Sequence, residues 1–303
     1  MDLTWFVIIN PTAGNYSPTV LKQIQHHLKN NNITYSYAVT THEKHEIELV
    51  HDSIKNGITN FISVGGDGTL HNIVNGIMTQ NFVSTSKIKV GVIPYGTGND
   101  WVKTYNIPKN ISEAILIIKQ QKTISQDIGY LELENNSTFF NNVAGIGYDG
   151  YVVNKLNKLK RLGSVSYLLS GLYGILFYRK TSFLIKINNQ TIKTKCLMTL
   201  FGICKYSGGG MRLTNYKDST NGLLDITIAK NLNFKDLILN IKKLYDGTLI
   251  NHKKVEALVS DEIIVTPETT DQKVYVQADG ELIGTGTVKV KIFKNAITFV
   301  VKK

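Results

Sequence analysis

The first 127 residues alternate short apolar runs with segments of helical period, and nothing else in the chain restricts its fold as tightly. Trp5 to Ile9 is an apolar run that stops at Asn10-Pro11, a turn marker. Val20, Leu21, Ile24 and Leu28 then recur at helical spacing. Tyr35 to Val39 reads as a strand, and Ile47, Val50 and Ile54 as a helix face. Phe61 to Val64 is a strand running into Gly65-Gly66, followed by a helix face of Leu70, Ile73, Val74 and Ile77. Val90 to Ile93 is a further strand closed by Pro94, and Ala114 to Ile118 lie on another helix. Strand and helix in strict alternation predict a parallel sheet with helices on its faces, whose ligands sit at the carboxyl ends of the strands.

After Asp127 the pattern changes to short β-rich runs separated by turn residues: Gly129–Leu133, Phe183–Ile187, Cys196–Cys204, Leu224–Ala229, Ile263–Thr266, Val274–Ala278, Val288–Phe293 and Ile297–Val301. Two helices interrupt them, near 151–178 and 234–246. The expectation is a Rossmann-like α/β domain with a mostly parallel sheet over residues 1–127. A β-rich, sandwich-like domain over 128–303 follows, its last strand free to return to the first domain, with the active site in the cleft between them.

The chain has 303 residues, 42% hydrophobic and 19% charged, which is globular rather than disordered composition. Its net charge of +11 favours polyanionic partners: nucleotide, nucleic acid or an anionic membrane surface. The two cysteines, Cys196 and Cys204, have no metal-binding or scaffold spacing and suit a reducing compartment. Met1 to Asn10 lack the basic and long apolar regions of a secretory signal, so a cytoplasmic protein is expected. The most apolar stretch, 167–178, falls well short of the roughly 20 residues a spanning helix needs.

Three loops close the strands of the first domain: Asn10 to Gly14, Gly65 to Thr69, and Pro94 to Asp100. Glycines allow backbone N–H groups to approach phosphate, and a helix N-terminus adds partial positive charge. A carboxylate such as Asp67 repels phosphate unless a divalent cation lies between them; otherwise it caps the helix, as does Thr69. The Gly65–Thr69 run is neither a P-loop nor a dinucleotide fingerprint. Late in the chain, Val274, Val276 and Ala278 alternate with polar residues, so Asp279 ends a half-buried strand, and Asp279-Gly280 is also a hairpin signal.

With Gly145-Ile-Gly-Tyr-Asp149, Gly208-Gly-Gly-Met211, Gly222-Leu-Leu-Asp225 and Asp279-Gly-Glu281 added to these loops, nearly the whole chain resembles the diacylglycerol kinase catalytic-domain family. That family includes bacterial soluble lipid kinases and the sphingosine and ceramide kinases. The Gly-Gly-Asp-Gly-Thr turn alone also occurs in NAD kinases and 6-phosphofructokinases; the order and spacing of the set are more specific. The resemblance implies Mg²⁺-dependent transfer of the γ-phosphate of ATP to a lipid hydroxyl. It implies that Asp279 takes the hydroxyl proton, that Glu281 assists or binds metal, and that Asp67 holds Mg²⁺ against the same terminal phosphate. Around the same site the resemblance implies Asp100 as a further nucleotide-site residue and Asp127 as a further metal ligand. Gly14, Gly65, Gly66, Gly68, Thr69, Gly96, Thr97 and Asn99 are the implied nucleotide contacts; Asn10 holds the nucleotide loop or simply makes an Asn-Pro turn. A second, structural Mg²⁺ is implied at Asp218, residue 221 and the Leu223 carbonyl. There the chain departs from its relatives: Asn221 stands where an Asp is usual, and it supplies no charge.

The partners implied are ATP and a lipid substrate at the inner face of a membrane, with peripheral association and a dimer both compatible. Lys155, Lys158, Lys160 and Arg161 precede an apolar stripe of Tyr167, Leu168, Leu169, Leu172, Tyr173, Leu176 and Phe177. Such a stripe lies on a membrane or, more commonly, packs into a core, and the core reading is adopted here. His42-Glu-Lys-His45 lacks zincin spacing, no serine sits in a nucleophile elbow, and no nucleic-acid-reading motif is present. The rival readings are an NAD kinase-like small-molecule kinase and a catalytically silent nucleotide- or lipid-binding regulator.

Overall fold

Residues 4–14, 16–156, 171, 173–268 and 272–302 are described in a computed structural model of the chain. They divide into two units, residues 1–127 with 295–303, and residues 128–294.

In the first unit β1 (Trp5–Ile9), β2 (Tyr35–Val39), β3 (Asn60–Gly65) and β4 (Lys89–Pro94) pair in the order β2-β1-β3-β4, all parallel. The helices are α1 (Pro18–Asn30), α2 (His45–Lys55), α3 (Asp67–Thr79), α4 (Asp100–Thr104) and α5 (Ile111–Gln120). β3 is buried along its whole length, as a parallel strand covered on both faces is. α3 forms despite Gly68 and Gly76, each about 1 kcal/mol worse than Ala in a helix. Burial of Leu70, Ile73, Val74 and Ile77, at roughly 1.5–3 kcal/mol per large side chain, outweighs that cost.

β5 (Thr123–Glu132) leads into the second unit, whose strands are β6 (Ser137–Phe140), β7 (Val143–Gly147), β8 (Thr181–Ile187), β9 (Gln190–Gly202), β10 (Leu224–Lys230), β11 (Val255–Ser260), β12 (Glu262–Pro267), β13 (Tyr275–Ala278), β14 (Glu281–Thr285) and β15 (Val288–Val300). Within residues 128–294 the pairings are antiparallel: β14-β13-β7-β9 runs in order, β9 also pairs β8 and β10, β10 pairs β11, and β8 pairs β12. Among the described residues, helices α6 (Tyr148–Leu156), α7 (Phe234–Leu239) and α8 (Ile241–Asp246) accompany these strands. Tyr148, Leu237 and Leu244 join Leu197, Leu200 and Leu213 in one buried apolar cluster.

Several sequence expectations change. The two C-terminal runs are one strand: Val288 to Lys289, Val290 and Lys291 pair with β12, and Thr298 and Phe299 pair in parallel with β4. Lys294-Asn295 reads as a turn, but Asn295 takes a positive φ of 50° inside the strand, a conformation Asn tolerates better than most residues. The helix expected over 234–246 is two short helices, broken at Asn240, whose side-chain amide donates back to the Asp236 carbonyl. Part of the apolar stripe, Tyr167, Leu168, Leu169 and Leu172, with Lys158, Lys160 and Arg161, lies outside the described residues. The described part contradicts the core reading: Tyr173, Leu176 and Phe177 are 61%, 54% and 65% exposed, and Ile175 supplies the buried contact instead. β6, β7, β11 and β14 carry no signal strong enough to be read beforehand.

Candidate active site

The three loops of the first unit interlock. Asn10 ties the first two together: its Nδ2 donates to Thr69 Oγ1 (3.1 Å) and Glu46 Oε1 (3.3 Å). Its Oδ1 accepts from the backbone N and Oγ1 of Thr12, at 2.9 and 2.7 Å. Asn10 therefore both closes its own turn and ties it to the Gly65–Thr69 turn. Glu46, on α2, also accepts from Asn72 of α3 at 3.1 Å. Burial pushes the Glu46 carboxyl up, against the pull of these amide donors. Two further approaches are backbone to backbone. A Cβ on Gly14 would lie 2.4 Å from the Tyr95 carbonyl oxygen, and one on Gly96 would lie 2.4 Å from Gly66 Cα. No side chain fits at either point, so three glycine-bearing turns sit together at the carboxyl ends of β1, β3 and β4.

Asp67 joins two of the loops. Its carboxylate accepts the backbone N–H groups of Asp100 (2.9 Å) and Trp101 (3.2 Å), the first residues of α4. A carboxylate there meets otherwise orphaned donors at the positive end of a helix. Asn99 precedes α4 with a positive φ of 51°, and its amide accepts from Gly96 N (3.2 Å) and donates to Gly96 O (2.6 Å). The Asp100 carboxylate is nearly buried and pairs with Lys103 Nζ at 2.6 Å. Thr97 is exposed, Thr69 is buried, and Gly68 opens α3. Asp127 is fully buried and accepts from Asn295 N at 2.7 Å, which fixes β15 where it bends.

In the second unit Asp279 and Gly280 are the two central residues of the β13–β14 hairpin, with φ of 50° and 82°. The Asp279 carboxylate collects three consecutive backbone donors, Asn141 N (3.0 Å), Asn142 N (3.0 Å) and Val143 N (3.2 Å). The Asp279 N–H returns a bond to the Val143 carbonyl at 3.0 Å. A hairpin turn alone needs none of this; the side chain is aimed. Glu281 is exposed at the start of β14. The Asn141–Val143 donors and Glu46 were not legible beforehand, because both act through contacts distant in sequence.

The Asp218–Leu223 loop closes on itself. Asp218 Oδ1 accepts from Thr220 N (3.0 Å) and Oγ1 (2.9 Å), and Asn221 Oδ1 accepts from Leu223 N (2.9 Å). One exposed carboxylate and a neutral amide, both occupied locally, make a poor cage for Mg²⁺, and no chemistry is assigned to a second cation. Nearby Asp225 is 3% exposed, and burial raises its carboxyl to about 6 against a bond from the Lys217 backbone. Among the described residues, His42, His45 and Glu48 bring metal-capable atoms within 4.8 Å. His45 Nδ1, however, accepts the Thr41 N–H at 3.1 Å, which leaves the ring proton of the neutral form on Nε2. No helix among the described residues is long and apolar enough to cross a membrane.

A parallel-sheet unit with interlocked glycine turns, followed by an antiparallel unit that aims one carboxylate, has the parts of a kinase. Residues 4–131 match the family described as diacylglycerol kinase catalytic domain, and residues 142–301 match the one described as YegS C-terminal NAD kinase beta sandwich-like domain. The chain belongs to this lipid kinase family. It is 26% identical over 292 residues to a diacylglycerol kinase of Bacillus subtilis, covering 92% of this chain and 89% of that one. It is 27% identical over 284 residues to a diacylglycerol kinase of Staphylococcus haemolyticus, covering 92% and 82%. A crystal structure of a diacylglycerol kinase from Bacillus anthracis shares the fold, with a TM-score of 0.76 at 20% identity over 99% of this chain and 97% of that one.

Proposed function

We propose that the protein transfers the γ-phosphate of ATP to a hydroxyl of a membrane lipid, diacylglycerol-like or sphingoid-like. The observation that carries this reading is the interlocked set of turns at 10–14, 65–69 and 94–100. Nucleotide phosphates would lie against their backbone N–H groups and the N-terminus of α3. The hard oxygens of the Asp67 carboxylate suit a hydrated Mg²⁺, which keeps several of its waters and can be held through them. When bound, the ion neutralises phosphate charge. Asp67 would hold it while keeping the 65–69 turn fixed to α4.

Asp279 would orient the acceptor hydroxyl and take its proton. Phosphoryl transfer needs mostly positioning and charge neutralisation, and an ionised carboxylate suffices to guide the nucleophile. The backbone donors of 141–143 hold it in one place. Exposed Tyr173, Leu176, Phe177 and Leu239, with Arg179, Lys180, Lys235, Lys242 and Lys243 in the same segments, support lipid capture from an anionic bilayer.

The test is to offer γ-labelled ATP with a total lipid extract and, separately, with NAD. Label is expected in lipid, dependent on Mg²⁺, and absent with Asp279→Asn. Label in NAD favours the small-molecule kinase, and ATP binding without transfer to any lipid favours the silent regulator. Near-normal turnover in Asp279→Asn removes the proposed base.

A further inference from the structure

We infer that Gln277 is a positioning residue: its side-chain amide, braced on Asp149 of α6, sets the turn that carries Asp279. The inference rests on the reading of Asp279 as the base. Gln277 lies on β13 two residues before Asp279 and is only 4% exposed. A polar side chain so buried is costly unless both ends find partners. Both do. Oε1 accepts the Gly280 N–H at 2.8 Å, inside the turn itself. Nε2 donates to Asp149 Oδ2 and lies 3.5 Å from the Val143 carbonyl. An ionised carboxylate can only accept, so Asp149 dictates which way the amide faces, and Oε1 is left for Gly280.

The neighbouring backbone is shaped around this bridge. Gln277 pairs with Gly145 on β7, where a Cβ would lie 2.4 Å from Asp149 Oδ2. Glycine at 145 thus leaves the lane through which the Asp149 carboxylate crosses β7. At the next residue of α6, a Cβ on Gly150 would lie 2.4 Å from the Tyr275 carbonyl oxygen, so the first turn of the helix rests directly on β13. The β13–β14 register also shifts between Val276 and Gln277. A bulge at that place re-aims the strand end, and the Gln277 amide fixes the new direction. The Asp279 carboxylate is then held from two sides: by the 141–143 backbone through its own oxygens, and by α6 through Gln277. Two sequence motifs, Gly145–Asp149 and Asp279–Glu281, become parts of one device.

The experiment compares steady-state kinetics of Gln277→Leu, Asp149→Asn and Asp149→Leu in the intact protein, with Asp279→Asn as reference. Gln277→Leu keeps the volume and loses both bonds; misplacing a reacting group by about 1 Å costs on the order of 100-fold. The expected result is a kcat lower by about 10- to 100-fold with KM for ATP unchanged. Asp149→Asn keeps an acceptor for Nε2 and should retain most of the kcat that Asp149→Leu loses. Wild-type kcat in Gln277→Leu, or equal kcat in Asp149→Asn and Asp149→Leu should the Gln277 variant not fold, overturns the inference while an inactive Asp279→Asn leaves the base assignment intact. An active Asp279→Asn overturns both.

Discussion

At the scale of single residues the carboxylates differ by what holds them. Asp67 accepts two backbone N–H groups at the start of α4. Hydrogen bonds to a charged group contribute about 1.5–3 kcal/mol each. Asp67→Ala should therefore lower the thermal midpoint by several degrees as well as abolish turnover, whereas Asp67→Asn, with one acceptor left, should melt closer to wild type. Differential scanning fluorimetry beside a turnover assay separates the two effects. Asp225 presents the opposite case. Its folded-state carboxyl is raised from 3.8 to about 6, chiefly by burial. Between those values the folded form binds more protons than the unfolded one, so this group's contribution falls as pH rises through that window, by about 3 kcal/mol in all. Asp225→Asn should flatten stability between pH 4 and 6 and raise it at pH 7.5, read from urea melts at each pH; an unchanged slope would assign the pH dependence elsewhere. Asp67 was legible as a candidate because a carboxylate in a glycine turn is chemically conspicuous, whereas Asp279 read as a hairpin turn and became a candidate only through the family resemblance. Glu46 and Gln277 were not legible, since their partners lie 26 to 36 residues away for one and 128 for the other.

At the scale of elements, the alternation of apolar runs and helical faces gave the first unit almost complete, since each strand is continuous and each helix has one buried side. The second unit was less legible. Short antiparallel strands carry few residues each, so β6, β7 and β14 are defined by pairing rather than by pattern. Asn240 and Asn295 also mislead in opposite directions: one breaks a helix, the other passes through a strand. The loops make a sharper prediction. Gly96→Ala forces a methyl to within 2.4 Å of Gly66 Cα, a contact only backbone movement can relieve. The 65–69 and 94–100 turns should separate, raising KM for ATP about 10-fold or more while KM for lipid holds, because a misplaced cradle loses affinity for what it cradles. Equal effects on both KM values would count against a nucleotide role for these turns.

At the scale of the whole molecule, exposed apolar residues and cations share the segments 173–180 and 235–245. Leu239, at 83% exposure, stands between Lys235 and Lys242-Lys243. Co-sedimentation should show binding to anionic vesicles that weakens with salt, little binding to neutral ones, and a marked loss with Leu239→Asp plus Lys242→Glu. Equal binding of wild type and variant would place the membrane contact elsewhere. The path of β15 has a different kind of consequence. Its end completes the sheet beside β4, yet the chain reaches it only after the second unit has been made. On the ribosome, at about 5–20 residues per second, β4 waits on the order of ten seconds or more with an unpaired edge. A nascent chain in that interval is open to pairing with a neighbour, so the first unit is best protected when translation through the second unit is fast or a chaperone covers the gap.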